Sequence, residues 1–494
     1  QWLVVARGAP DPSDPRGWAA VGSAGFAVTA VLSGGIYLPA DHEQSAHAMA
    51  ACTVDNPAHA RHRKMVERGS IPVRAPVPPA TLPVWSTQRD PSGKAWLVVP
   101  RHAPARVMPD ADRRTDGEPI DARLTVDLRP YQRAALDAAV SVGGGVVRAP
   151  CGAGKTVIGL AAIAAVGRRA LVLVHTLDLA KQWRSRLQSQ LGVASVGMLG
   201  GGKDDRDHPV VIATIQTLAR WDWWGLLAFG KGFGCVVLDE AHHAPAVTFT
   251  SVLSALPARF RLGLTATPER EDGLTALLWW SFGREVYGID HATLMRSGAL
   301  VLPDLRAVRT GWTPASEDAG GWHKYIAELI EDEARHALLL AEVRALLDDG
   351  RRVLVLSERV EHCAQIASDL GGRALTGKVK AKDRAEIIAE ADAGTLRLVC
   401  GTTVADEGLD IPGLDAVVLA TPCKVLARIE QRIGRIMRPD PGKRTPVVVD
   451  LVDSWGPLLG QYQRRRKVYA RLGIIGRPPV SPAERPASQS TLWR

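Results

Sequence analysis

From Leu128 to about residue 475, short and almost continuous apolar runs alternate with longer segments of helical character. In the first half the runs are GGVVRAP, ALVLVH, VVIATI, CVVLDEA and RLGLTA. In the second they are RRVLVLS, LRLVCGT, AVVLAT and PVVVDLVD. A strand that is apolar on both sides of its pleat must be covered on both faces, and intervening helices supply the cover. The pattern predicts parallel sheets in two α/β domains, residues 123–298 and 299–476. Residues 1–122 are richer in Pro, Ala and short apolar runs and read as a separate accessory domain of α+β type. The last stretch, RPPVSPAERPASQSTLWR over 477–494, reads as a flexible tail.

Within the amino-terminal region, Gly17–Ala40 carries no charge for 24 residues, which is long enough to suggest a membrane span. Its Gly, Ser and Pro content argues otherwise. FAVTAVL and IYLPA read as two strands joined at Gly34-Gly35. IPVRAPVPPATLP (Ile71–Pro83) reads as an extended linker. WLVVARGAP near the start is echoed by WLVVPRHAP at Trp96–Pro104, and no function follows from the echo. The sequence opens on Gln1 rather than Met, as expected where the natural amino terminus is missing.

A length of 494 residues suggests about three domains. A hydrophobic fraction of 46% with 23% charged residues excludes wholesale disorder and fibrous architectures. The net charge is +9, and only 13 of the 61 basic residues are Lys. Guanidinium pairs bidentately with phosphate, which favours phosphate-bearing partners. A GC-rich codon bias produces the same composition, so charge leaves nucleic-acid binding open. Six cysteines stand singly, with no CxxC pair. A zinc ribbon and a disulfide framework are both disfavoured, and a reducing, cytoplasmic setting fits best. His42, His47, His59, His62 and Cys52 cluster in sequence but match no zinc spacing, so they read as a solvated helix face.

The first candidate chemistry is APCGAGKT, Ala149–Thr156. It follows an apolar strand and opens the helical segment TVIGLAAIAAVG, the context a phosphate-binding loop needs. Gly152, Ala153 and Gly154 would let backbone N–H groups face a phosphate. Lys155 would reach the β and γ oxygens. Thr156 would offer a hydroxyl to Mg²⁺ and open a helix whose dipole favours the anion. LDEAHH, Leu238–His243, ends a second apolar strand. There Asp239 suits Mg²⁺, and Glu240 suits orienting and deprotonating water.

AxxGxGKT and DEAH, followed by GLTATP (Gly263–Pro268), GTTVADEGLDIP (Gly401–Pro412) and QRIGRIMR (Gln431–Arg438), stand in the order of superfamily 2 helicases of the DEAD/DEAH-box type. The resemblance covers Leu128–Asp453. Arg270–Gly273, REDG, resembles the Arg-Glu-Asp loop of xeroderma-pigmentosum-B-type DNA helicases, and the neighbourhood is similar to phage UvsW-type and bacterial RadD-type enzymes. One departure is a thumb insertion reduced to about Gly311–Arg335. Residues 1–122 stand where such enzymes carry a damage- or DNA-sensing module, although no motif marks one.

The resemblance implies two tandem RecA-like domains with ATP and Mg²⁺ between them. Arg129 and Gln132 of LRPYQ would contact adenine, and Gly408 and Asp410 would line the nucleotide face. Arg435 and Arg438 would act as arginine fingers on one helix beginning near Val425. His242, Thr265, Thr267, Arg270, Glu271, Asp272 and Gln431 would couple hydrolysis to strand movement. His175, Thr176, Thr214, Gln216, Ser357 and Thr402, at strand ends, would touch nucleic-acid phosphates. Each lone Ser or Thr is equally well a helix cap.

The resemblance implies an ATP hydrolase acting on DNA, in repair, recombination or phage replication. Open alternatives are the motor of a restriction or defence complex, an RNA helicase, and a non-catalytic scaffold on a dead helicase fold. No membrane partner is expected. The oligomeric state is open, and a monomer suffices. Two further motifs stay ambiguous. WDWW (Trp221–Trp224) either stacks on bases or packs, and QRRRK (Gln463–Lys467) either binds phosphate or is a solvated face.

Overall fold

The computed structural model describes residues 30–67, 76–104, 107, 109–193, 195–240, 246–266, 270, 272–316, 322–402, 411, 413–422, 430, 433–434, 436–439 and 443–474. They form two compact units divided at Ile289/Asp290, with Pro150–Ala153 grouped with the second.

The first unit holds two architectures. Near the amino terminus, strands β1 (Val31–Leu32), β2 (Gly35–Pro39), β5 (Ser86–Arg89), β6 (Ala95–Pro100) and β7 (Ala111–Asp112) make a sheet of order β5-β6-β2-β1-β7. β1 and β2 pair antiparallel across Ser33-Gly34, with Val31 opposite Tyr37, so the uncharged segment does contain a hairpin. β3 (Thr53–Asp55) pairs with β4 (Thr81–Pro83), so the carboxyl end of the Pro-rich run is strand rather than linker. Leu38, Leu97 and Val99 pack with Ala48 and Cys52 from the helix Ser45–Ala51 and its end.

This small sheet docks on the larger one. A Cβ at Gly34 would lie 2.3 Å from the carbonyl oxygen of Ser254, so only Gly permits the approach. The Tyr37 hydroxyl donates to the same carbonyl at 3.1 Å.

The larger sheet comprises β8 (Gly144–Arg148), β9 (Ala170–Val174), β10 (Val196–Gly200), β11 (Lys203–Asp204), β12 (Val210–Thr214), β13 (Cys235–Asp239), β14 (Phe260–Thr265) and β15 (Glu285–Gly288). Its order is β11-β10-β12-β9-β13-β14-β8-β15, parallel except for β11. β9, β12, β13 and β14 are buried along their whole length, as continuous apolar runs require. Strand order reverses on either side of β9 and β13, and in open α/β sheets the crevice beyond the carboxyl ends of such strands is where ligands bind.

The second unit carries β16 (Asp304–Arg309), β17 (Val353–Leu356), β18 (Arg373–Leu375), β19 (Leu398–Gly401), β20 (Ala416–Leu419) and β21 (Val447–Val452), in the order β16-β21-β20-β17-β19-β18. Every pairing is parallel. The core gathers Leu339, Val343, Val355, Ile366, Cys400, Val418 and Val449. The span resembling a shortened thumb holds one helix, Trp322–Glu331, whose Leu329 packs with Trp312 and Leu458.

The two ambiguous motifs resolve as packing in whole or in part. Asp222 caps the helix Trp223–Gly230 by accepting from the Gly225 N–H. Trp221 meets Phe229 edge-on at 5.1 Å, Trp223 tilts against Tyr37 at 6.3 Å, and the Trp224 indole donates to the Arg89 carbonyl at 2.6 Å. In QRRRK, Arg465 is buried and pairs bidentately with Asp450 at 2.9 Å, while Gln463, Arg464, Arg466 and Lys467 are exposed.

Candidate active site

The carboxyl ends of β8, β13 and β14 lie side by side, because β14 pairs with both other strands. After β8 the chain turns through Gly152 (φ +86°) and Gly154 (φ +77°), conformations that L side chains resist. Gly154 is then the N-cap of the helix Lys155–Val166. The turn is tied to the sheet by the Ala149 N–H, which donates to the Thr265 carbonyl at 2.8 Å. Ala153 is fully buried and Thr156 sits half-buried in the first helical turn.

Lys155 leads the helix with only 9% of its surface exposed, and its Nζ lies 3.1 Å from Glu240 Oε1. Asp239, the last residue of β13, is buried. Its Oδ1 accepts the Glu240 N–H at 2.9 Å, and its Oδ2 accepts the indole N–H of Trp183 at 2.8 Å. Glu240 alone among the described non-glycine residues has positive φ, +50°. Strained backbone of this kind persists where surrounding structure holds it, and it concentrates at functional sites.

Burial and the neighbouring Glu240 carboxylate push Asp239 up to about 6, against the opposing pull of Lys155 and the Trp183 donor. A buried carboxylate in that condition favours a cation beside it. Asp239 and the Thr156 hydroxyl are hard oxygen donors of the kind Mg²⁺ takes alongside phosphate and water, so the donor set fits that ion.

Gln132 sits against the phosphate loop: a Cβ on Gly154 would lie 2.5 Å from Gln132 Nε2. Its Oε1 accepts the Arg129 N–H at 3.0 Å, closing the helix Pro130–Ser141, and Arg129 Nη1 donates to the Tyr131 hydroxyl at 3.2 Å. Gln132 therefore stands beside the loop, while Arg129 is engaged with its own helix end.

Trp183 is absent from the sequence-derived set. Its signal is the spacing Ala180, Trp183, Leu187, one apolar stripe of the helix Leu177–Gln190. A buried indole N–H needs an acceptor, but the sequence does not show that the acceptor is Asp239.

The strand-end residues fall into two groups. His175 and Thr176 follow β9, Thr214 ends the adjacent β12, and the Gln216 amide donates to the His175 carbonyl at 3.1 Å. Thr176 accepts the Leu179 N–H at 3.3 Å as a helix cap, and Thr214 Oγ1 lies 2.7 Å from Thr217 Oγ1. In the second unit the Ser357 N–H donates to Gly401, which brings Ser357 next to Thr402. Ser357 is buried, lies 3.0 Å from His362 Nδ1, and accepts the Arg359 N–H at 3.2 Å. Its hydroxyl is thus committed to capping, the alternative that the sequence leaves open. Thr402 is also buried.

Thr265 is fully buried on β14. Arg270 is buried as well, over the Phe249 ring at 5.4 Å, and its guanidinium grips Asp272 at 2.6 and 3.0 Å. Arg438 is half-buried, and its carbonyl accepts from Lys443 at 2.9 Å. His242, Thr267, Glu271, Gly408, Asp410, Gln431 and Arg435, with the proposed helix start near Val425, lie outside the described residues. Among the described residues no group of three or more His, Cys, Asp or Glu side chains could hold a metal ion, so the sequence cluster around Cys52 assembles no such site. Also among them, no helix is long and apolar enough to cross a membrane.

Comparison with known proteins matches residues 125–270 to the family "Type III restriction enzyme, res subunit" and residues 336–440 to "Helicase conserved C-terminal domain". Rad25 of Halobacterium salinarum is 31% identical over 364 residues, covering 70% of this chain and 59% of the relative. The DNA 3'-5' helicase XPB of Mycobacterium tuberculosis is 28% identical, covering 63% and 58%. The matches thus span about three-fifths of the length of these two relatives. Among solved structures, S. cerevisiae Dbp5 bound to RNA and ADP BeF3 superposes with a TM-score of 0.51 at 15% identity, covering 71% of this chain and 89% of that one. At that identity the likeness speaks to fold: two RecA-like parallel-sheet domains in tandem. With both domain families matched in order and the Rad25 and XPB relatives alongside, the chain belongs to the superfamily 2 helicases.

Proposed function

We propose that this protein hydrolyses ATP and couples the turnover to movement on, or remodelling of, duplex or branched DNA, in repair, recombination or phage replication. The observation that carries the reading is Lys155 Nζ placed 3.1 Å from Glu240 beside the buried Asp239, at the carboxyl edge of a parallel sheet. The DNA assignment draws support from relatives named as DNA helicases and translocases, including XPB2 of Sulfurisphaera tokodaii at 25% identity. On this reading residues 123–298 and 299–476 are the two motor domains, 1–122 an accessory domain and 477–494 a tail.

In the mechanism, loop N–H groups and the helix N-terminus receive the phosphates. Lys155 exchanges its Glu240 partner for the γ-phosphate. Glu240, released from that ion pair, orients the attacking water and takes its proton. Asp239 and Thr156 would hold Mg²⁺, which supplies charge neutralisation at the β and γ oxygens. Gln132, placed beside Gly154, suits adenine recognition, with Arg129, Gly408 and Asp410 as further nucleotide contacts. Arg435 and Arg438 are read as the fingers that neutralise charge on the transferring phosphoryl group. His242, Thr265, Thr267, Arg270, Glu271, Asp272 and Gln431 are read as coupling residues. His175, Thr176, Thr214, Gln216 and Thr402 are read as phosphate contacts, with Ser357 the weakest member of that set because its hydroxyl is committed.

The test is ATP turnover across a panel of forked, branched, duplex and single-stranded DNA, with RNA alongside. Stimulation by DNA above RNA is expected, and turnover indifferent to every nucleic acid would remove the reading. A second reading, the motor of a restriction complex, is favoured by the restriction-subunit match over residues 125–270. It predicts stable co-purification with modification or specificity subunits.

A further inference from the structure

A cavity of about 770 Å³ opens at the opposite edge of the first sheet from the phosphate loop. It lies at the amino ends of β8, β14 and β15, where Gly144, Arg261 and Glu285 begin their strands, and the docked amino-terminal sheet supplies Arg101. A five-residue strand such as β8 spans roughly 16 Å, so the cavity is separate from the nucleotide edge.

Five arginines line it, Arg101, Arg114, Arg259, Arg261 and Arg284, against one carboxylate, Glu285, which Arg148 already holds at 3.0 Å. Arg114 and Arg259 share Asp112, at 2.7 and 3.1 Å. Among the described residues, Arg101 and Arg261 pair with no carboxylate; their bonds go to carbonyls. Arg101, buried, donates to the carbonyls of Ser33 and Ala258. Arg261, 3% exposed, donates to those of Gly34, Leu253, Leu256 and Ser281, while its buried Nε has no partner among the described residues. These carbonyls hold the hairpin loop in place and satisfy most of the N–H groups, but they neutralise no charge. Burying two guanidinium ions with neutral partners alone is costly unless a counter-charge is supplied. His102 stands in the same wall, and burial beside these arginines pushes it down to about 4, so it adds no charge near neutrality. Arg284 is exposed, and Trp279 offers a half-buried ring face.

We propose that this arginine-lined cavity is a second anion site, taking the phosphate groups of a phosphodiester backbone or of a free polyphosphate. Guanidinium forks match phosphate oxygens bidentately, and the volume is that of a ligand pocket rather than a packing defect. The site is independent of the hydrolysis reading, since it lies at the other edge of the sheet and is read out by binding.

The experiment uses the full chain carrying Lys155→Ala, which weakens anion binding at the phosphate loop. Sodium pyrophosphate and a short oligo(dT) strand are titrated by calorimetry. Two further variants change only exposed wall positions, Arg284→Glu and Val142→Glu, and Arg296→Glu in the second unit is a control of equal net-charge change to Arg284→Glu. Neither wall residue holds the hairpin, so melting temperatures should stay within the control's range. Each wall variant should weaken pyrophosphate binding about tenfold, the size of one lost charge-assisted contact, while the control leaves it intact. Loss confined to oligo(dT) assigns the cavity to a nucleic-acid backbone, and loss confined to pyrophosphate assigns it to a free polyphosphate. No binding of either probe, or wall variants indistinguishable from the control, overturns the proposal. ATP turnover of the parent protein is measured separately, so failure here leaves the hydrolysis reading untouched.

Discussion

The indole N–H of Trp183 donates to Oδ2 of Asp239 at 2.8 Å, with both side chains buried. Oδ1 receives the Glu240 N–H, so two neutral donors fix the carboxylate. The helix Lys155–Val166 makes room for the indole at Gly159, where a Cβ would lie 2.5 Å from the Trp183 ring. Trp183→Phe keeps most of the volume and deletes the donor. It should cost about 1–3 kcal/mol in urea unfolding, the range for an unsatisfied buried acceptor, and should lower turnover while raising the Mg²⁺ concentration needed. A variant equal to wild type on both counts would reduce the contact to packing.

Lys155 and Glu240 form one ion pair, and each is expected to fail differently. Glu240→Gln keeps shape and a polar contact to Lys155 but removes the base. Nucleotide affinity should hold while kcat drops about 10²–10⁴-fold, the usual worth of a general base. Lys155→Ala removes the fixed cation beside two carboxylates and should abolish turnover and weaken nucleotide binding together. Equilibrium nucleotide binding measured beside steady-state hydrolysis separates the two patterns.

The strands legible in the sequence are those buried on both faces. CVVLDEA and PVVVDLVD became β13 and β21, because an unbroken apolar run has few other uses. The strands missed are of another kind. β16, DLRAVR, buries mainly alternate residues at a sheet edge, and β10, VGMLG, carries two glycines that depress strand propensity. The loop chemistry of Gly152 and Gly154 was legible because positive φ selects Gly. What a side chain meets across the fold was not. WDWW and REDG read as exposed and functional, yet Trp224 bonds to Arg89 and Arg270 lies over Phe249, pairings set by tertiary approach rather than local pattern.

His362 gives a pH dependence. Burial first, then the nearby Arg335 and His336, pushes it down to about 3, and its Nδ1 lies 3.0 Å from Ser357 Oγ. A histidine depressed in the folded state stays neutral while the unfolded chain takes up a proton below about 6.5. The stabilisation is therefore complete above that value and is lost as pH falls toward 3. His102, pushed down to about 4, acts in the same sense. Between pH ~7.5 and ~5 wild type should lose about 2 kcal/mol through His362, measured by urea unfolding. His362→Gln should start less stable and show a flatter slope; an unchanged slope would place the titration elsewhere.

Arg465 separates the structural from the solvated part of QRRRK. Its guanidinium pairs with Asp450, which also accepts the Tyr469 hydroxyl at 2.6 Å, all inside the second unit. Arg465→Met leaves a buried carboxylate with one neutral donor and should cost about 3–5 kcal/mol. Arg464→Ala and Arg466→Ala, both exposed, should leave stability within about 0.5 kcal/mol. If either exposed arginine touches nucleic acid, its loss should lower the salt dependence of binding without changing the unfolding midpoint.

Arg270 offers the sharpest contrast between a coupling role and a structural one. The sequence places it directly after GLTATP, where it could sense nucleotide state and face a DNA fork. In the fold its side chain is 3% exposed, lies over Phe249 at 5.4 Å, and grips Asp272. Burial alone would raise the Asp272 carboxyl, but the Arg270 bond and the Leu274 N–H outweigh it and hold the group below the usual carboxylate range. The depressed acid means that the pair stabilises the fold above the unfolded carboxylate value and that this contribution fades as pH falls through the folded one. Arg270→Ala should therefore cost about 1–3 kcal/mol, less than a fully buried pair because Asp272 keeps access to water. A double-mutant cycle with Asp272→Asn should return a coupling of about 0.5–3 kcal/mol. ATP turnover and strand separation should fall together, in proportion to the folded fraction. Turnover preserved with strand separation lost, at unchanged stability, would instead make Arg270 part of the coupling machinery despite its burial.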